Sequence, residues 1–94
     1  MRVISRRVLI EFAMQHKPAA TPLSAWYSMV NTKRYADSHQ LKADFGTADF
    51  RRNGIVIFNL GGNKYRLVAH FRYDIGLVYI KHMVTHAEYD KLKL

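Results

Sequence analysis

The spacing of apolar residues changes midway along the chain, and that change limits the folds open to it. Up to Phe45 they recur at helical spacing: Val8, Leu9, Phe12 and Ala13, then Leu23, Trp26, Tyr27 and Val30 at i, i+3, i+4, i+7. From Ile55 onward they form runs of strand length at 55–60, 65–73 and 77–84. Gly61-Gly62-Asn63 and Asp74-Ile75-Gly76 separate these runs, and both compositions tolerate the positive φ of tight turns. Helices first and an antiparallel meander afterwards predict an α+β domain, with the N-terminal helices packed on one face of a small, mainly antiparallel sheet. A chain of 94 residues has room for one such domain, expected over 1–94.

Local signals place the element ends. Residues 2–4 suit a short first strand. Ser5 is expected to cap the first helix, and Pro18 to stop it. Thr21 is expected to cap the second, with Pro22 at the first helical position, where a missing N–H costs nothing. Ser38 is expected to cap a third short helix that turns Leu41 and Phe45 inward and ends at Gly46. Thr85 with Glu88 three residues on reads as a capping box opening a last helix over 86–92.

Charge bears on partners and not on fold. Fifteen Lys and Arg oppose seven Asp and Glu, giving +8 and a pI near 10.1. A small domain this basic is built to meet a polyanion. No block of five like charges marks a disordered arm, so any basic surface must be assembled by folding. The chain has no cysteine, which excludes a disulfide scaffold, a thiolate zinc site and a Cys nucleophile, and fits a cytoplasmic setting. The start is basic and then apolar, in the manner of a signal peptide. Glu11 interrupts that run and no clean small-residue cleavage site follows, so an ordinary helix is expected. No stretch reaches the roughly 18 apolar residues of a membrane helix.

Two places can carry chemistry. In the strand over 65–73, alternation puts Tyr65, Leu67, Ala69, Phe71 and Tyr73 on one face and Arg66, Val68, His70 and Arg72 on the other. The first set reads as core. The second is either a solvated outer face or a phosphate-binding one, since guanidinium binds phosphate oxygens bidentately. The second place is the last helix start, where His86 and Tyr89 are i, i+3 neighbours. Histidine transfers protons near neutral pH, and tyrosine does so beside a cation; the plainer alternative is an exposed His86 and a Tyr89 packed on the sheet. His82, His86 and His70 as metal ligands are disfavoured, because the first two straddle a strand end and a helix start and no carboxylate accompanies them. No phosphate-binding glycine loop and no paired carboxylates are present.

The segments Asn59-Leu60-Gly61-Gly62-Asn63-Lys64-Tyr65-Arg66-Leu67-Val68-Ala69 and Tyr79-Ile80-Lys81-His82-Met83-Val84-Thr85-His86-Ala87-Glu88-Tyr89-Asp90 resemble the HigB branch of the RelE/ParE toxin superfamily. The glycine pair, the arginine after it and the Met-x-Thr-His-x-Glu-Tyr ending carry the likeness. The resemblance implies a RelE-like fold and the toxin of a type II toxin–antitoxin pair. It implies an endoribonuclease that cleaves messenger RNA on the ribosome and is silenced by a cognate antitoxin, expected to be of the DNA-binding helix-turn-helix type. In its terms Arg66 supports the scissile phosphate, and His86 and Tyr89 complete the catalytic set. Lys42, Arg51, Arg52, Lys64, Arg72, Lys81 and Lys91 are expected to bind RNA; no cofactor or metal and no membrane partner is expected. The chain departs from relatives that end in an Asp-Tyr-His triplet, which leaves the general base open. A ParE-like gyrase poison and a non-catalytic RNA-binding module are the alternatives.

Overall fold

In the computed structural model, residues 1–92 are described; the last two positions of the expected 1–94 domain lie outside the described residues. The elements run β1 (Arg2–Ile4), α1 (Arg6–Gln15), α2 (Ala20–Thr32), α3 (Ser38–Asp44), β2 (Asp49–Phe50), β3 (Ile55–Leu60), β4 (Tyr65–Arg72), β5 (Leu77–Thr85) and α4 (His86–Asp90). The sheet order is β1-β5-β4-β3-β2, with β1 parallel to β5 and every other pair antiparallel. The expected α+β architecture is therefore what the chain adopts. β4 is the central strand, and its neighbours are the two partners that short hairpins allow.

One face of the sheet is covered by helices. Leu9 of α1 and Leu23, Trp26 and Val30 of α2 bury their side chains with Phe58 of β3, Leu67, Ala69 and Phe71 of β4, and Val78 of β5. The indole of Trp26 meets Phe58 edge-on at 5.4 Å, and Phe45 does the same at 5.1 Å. Tyr65 and Phe71 are buried in this core and Tyr73 packs against it, so none of the three forms an outer stacking surface.

The helix ends differ from their sequence signals for local reasons. Pro18 opens a 3-10 turn, Lys17–Ala19, and its fixed φ suits a first helical turn. The chain runs from that turn straight into α2, so Ala19 occupies the cap position and Thr21 caps nothing. Ser5 sits at the cap position of α1, but its hydroxyl makes no capping bond. Asp37, not Ser38, caps α3 by accepting from the Gln40 N–H at 3.0 Å; a carboxylate is the better partner for a helix dipole. The capping box of Thr85 and Glu88 is present as expected, on a helix that ends at Asp90 rather than at position 92. At the other end of α2, the amino group of Met1 donates to Val30 O at 2.8 Å and to Lys33 O, satisfying carbonyls the helix leaves open.

Two features of the sheet were not legible in the apolar pattern. β2 has only two residues, too few to show a period. β5 carries a bulge: Val68 pairs with His82 but Ala69 pairs with Ile80, so Lys81 is an extra residue. Trp26 is 1% exposed at the centre of the core. Trp26→Ala is expected to cost about 3–5 kcal/mol in urea unfolding followed by circular dichroism.

Candidate functional site

The strand register defines what the helix-free face presents. Ile55, Ile57 and Asn59 of β3, Arg66, Val68, His70 and Arg72 of β4, and Leu77, Tyr79, His82 and Val84 of β5 lie on it. This face is not simply solvated. Ile57 and Val68 are 2% and 1% exposed although the helical layer lies on the opposite side. Two segments lie on this face. The loop over 51–54 lies against β4 at its Gly54, where φ is +77° and a Cβ would fall on the carbonyl oxygen of Phe71 and the ring of His70. At the other end α4 leans on β4 and β5. Beside the loop is a cleft of about 590 Å³ lined by Arg51, Arg52, Ile55, Val68, Lys81 and His82.

Among the described residues Arg66 is the one buried charged side chain. It is 8% exposed. Its Nη1 donates to Asn63 O and to Tyr65 O, both at 3.1 Å, and its Nη2 donates to Asn63 Oδ1 at 2.7 Å. Asn63 can offer both oxygens because it sits at φ 77° in the β3–β4 turn, a conformation asparagine tolerates. These partners are neutral, so they fix the guanidinium without cancelling its charge. Among the described residues no carboxylate forms an ion pair with Arg66, whereas Arg7, Arg51 and Arg72 are each paired with an acid. A largely buried, oriented and uncompensated cation is costly to keep and is a ready anion site.

The two residues expected from the last helix are placed by the capping box. The Tyr89 ring lies under Arg66, its centroid 5.9 Å from Cζ. The Asp49 carboxylate, and more weakly Tyr89, hold the Arg51 guanidinium above its ordinary pKa. His86 donates its backbone N–H to Lys64 O at 2.9 Å, and its Nδ1 lies 3.2 Å from Asp90 Oδ2. That contact fixes one ring nitrogen and leaves the other for a substrate. A carboxylate does accompany His86 after all, four residues on in the helix.

The expected RNA-binding residues divide. Arg51, Arg52 and Lys81 come together on the cleft. Lys64 is exposed in the hairpin beside Arg66, and Lys91 is exposed at the end of α4. Arg72 shares the face of Arg66 but lies six residues along β4, about 20 Å away, and its guanidinium is engaged by Asp74 at 2.9 Å. Lys42 is exposed on α3, which packs Leu41 into the helical core. His82, considered from sequence only as a metal ligand, lines the cleft opposite Val68. Asn63 was read only as a turn residue; its role needs the hairpin geometry. Among the described residues no group of three or more His, Asp or Glu is placed to hold a metal ion, and no helix is long and apolar enough to cross a membrane.

The comparison with known families agrees with this arrangement of sheet and helices. The model of the HigB_toxin family, described as the RelE-like toxic component of a toxin–antitoxin system, matches residues 19–92, and the chain belongs to that family. It is 29% identical over 94 residues to a protein of Escherichia coli O6:H1 named mRNA interferase HigB, covering 98% of this chain and 91% of that one. It is 29% identical over 92 residues to the mRNA interferase toxin HigB of Escherichia coli K12, covering 96% and 88% respectively, and to the same extent to the mRNA interferase HigB of Shigella flexneri.

The capping box gives the site a pH dependence. Glu88 accepts from the Thr85 N–H at 2.9 Å, and this bond holds its carboxyl below the usual 4.5. A depressed pKa stabilises the fold above the unfolded value and ceases to do so as pH falls through the folded one. Amide protection across α4, corrected for intrinsic exchange, is therefore expected to decline as pH drops below 4.5. In Glu88→Gln that decline should be absent.

Proposed function

We propose that the chain is an endoribonuclease that cuts messenger RNA, on the translating ribosome, by attack of the RNA's own 2′-hydroxyl. The observation that carries this reading is Arg66: a buried guanidinium held by neutral partners, with no carboxylate ion pair among the described residues. The names of the relatives, mRNA interferases, point the same way.

The reaction needs little beyond what this face offers. The 2′-oxygen attacks phosphorus as its proton leaves, the bond from phosphorus to the 5′-oxygen breaks, and that oxygen takes up a proton. The products are a 2′,3′-cyclic phosphate and a free 5′-hydroxyl. Because the nucleophile comes with the substrate, the reading requires no metal. Arg66 stabilises the extra negative charge that develops on the phosphoryl oxygens, and it does so without reorganising, since Asn63 already fixes it. His86, with Nδ1 on Asp90, is the acid or base, acting through its free nitrogen. Tyr89, beside Arg66, orients the 2′-hydroxyl. Arg51, Arg52, Lys64, Lys81 and Lys91 hold the backbone, contacts that position rather than specify. The net charge of +8 suits a ribosomal setting and an acidic antitoxin that covers the face until it is degraded.

Induction in bacteria followed by mapping of messenger RNA 5′ ends tests this. The wild-type chain is expected to arrest growth and create new ends inside translated regions. Arg66→Ala and Arg66→Lys should lose about 100-fold or more of the cutting, the second because a point charge lacks the fork. His86→Gln should lower it as severely, and Tyr89→Phe less. Arrest without new ends would sink the nuclease reading in favour of a gyrase poison. If the chain, treated with EDTA and then freed of it, no longer cut messenger RNA in a translating extract, the metal-free chemistry would fall.

A further inference from the structure

The β3–β4 turn holds three consecutive left-handed residues: Gly61 and Gly62, both at φ 62°, and Asn63 at φ 77°. A third glycine would serve that backbone as well. What asparagine adds is a side chain. Its Oδ1 accepts from Arg66 Nη2 at 2.7 Å, while its carbonyl oxygen accepts from Nη1 at 3.1 Å. A guanidinium carries five N–H donors in one plane. A single residue that reaches both terminal nitrogens occupies the edge between them. The other Nη1 N–H goes to Tyr65 O at 3.1 Å. That leaves the Nε–H and the second Nη2 N–H, and neither is bonded among the described residues. These two lie side by side on the next edge, in the parallel arrangement that takes two oxygens of one phosphate. Asn63 Oδ1 is also uncharged. An aspartate would fit the same backbone and bond the guanidinium more strongly, but its charge would offset the one a phosphate needs.

We propose that Asn63 is a positioning residue for the reaction: it occupies the terminal edge of the Arg66 guanidinium, turns the Nε edge toward the scissile phosphate and, being neutral, leaves the whole charge of the cation to act there. The inference rests on the RNA-cutting reading and adds to it the edge that meets the phosphate and the side chain that selects it. Asn63 touches no reacting atom and acts only through Arg66. Its two properties can be removed one at a time. Aspartate keeps the oxygen and loses the neutrality. Glycine keeps the turn and the backbone oxygen but loses Oδ1, which frees Nη2 and lets the plane of the guanidinium swing.

The test uses the whole chain and follows the Arg66 Nε–H signal by heteronuclear NMR, assigned by its loss in Arg66→Lys, as inorganic phosphate is added at low ionic strength. In the wild type the signal is expected to shift and to saturate. In Asn63→Asp the half-saturating phosphate concentration should rise about tenfold or more, while the chain melts no earlier than the wild type. A side chain that served only the turn would not separate binding from stability in this way. Asn63→Gly should weaken phosphate binding about three- to tenfold and broaden the Nε–H signal. Cutting of messenger RNA in a translating extract should fall in both variants. If Asn63→Gly matches the wild type in phosphate affinity and in cutting, Asn63 positions nothing and the proposal is overturned. Should Asn63→Asp match it, the requirement for neutrality fails. An Nε–H signal unmoved by phosphate in the wild type would overturn the edge assignment. If the NMR results are as expected but the wild type cuts nothing, the RNA-cutting reading falls, and Asn63 remains the organiser of an anion site.

Discussion

Strand β4 must satisfy two environments at once, and the molecule is arranged around that requirement. Its odd-numbered residues, Tyr65 to Phe71, are buried against the helices, where Leu67 and Ala69 are fully inaccessible. The residues between them face the other way, toward Asn63, the loop over 51–54 and α4. A strand of alternating character can lie centrally only if something covers both sides without removing the polar groups from use. The helices provide one cover. On the other side the cover is partial, and the gap it leaves is the cleft.

The acidic residues explain why that cleft stays cationic. The chain has seven Asp and Glu; six are engaged away from the cleft, and Asp49 pairs with Arg51 at its edge. Glu11 pairs with Arg7, Asp44 with Lys33 and Tyr35, Asp49 with Arg51, Asp74 with Arg72, and Asp90 with His86, while Asp37 and Glu88 cap helices. None is left for Arg66, Arg52 or Lys81. The surface pairs add little stability, being exposed and screened. Their larger effect is on where positive potential remains: at the fixed guanidinium and along the rim.

Much of this is legible in the sequence. The switch of period marked the helices and the three long strands, and alternation in β4 separated Arg66 from the core. The capping box at Thr85 needed only its spacing. What escaped depends on relations between distant segments. The bulge at Lys81 is a mismatch between two strands, each regular in sequence, and it decides that His82 joins the cleft. Asn63 looks like any turn residue until the hairpin brings both its oxygens onto Arg66. Thr21 has the composition of a cap, but the cap rule assumes a break in the chain and Pro18 supplies a continuous turn instead. Asp90, placed by the last helix, converts His86 from a lone histidine into a paired one.

The pairing of β1 with β5 carries a consequence for biosynthesis. The strand Arg2–Ile4 has as its neighbour Leu77 to Tyr79, translated long after it, and α4 follows directly on β5. Until β5 has left the exit tunnel, β1 has no partner and Tyr89 is absent from the side of Arg66. The β3–β4 hairpin, with Arg66 and Asn63 in it, can form before that. The edge strand and the tyrosine are thus added to a hairpin whose cation is already fixed.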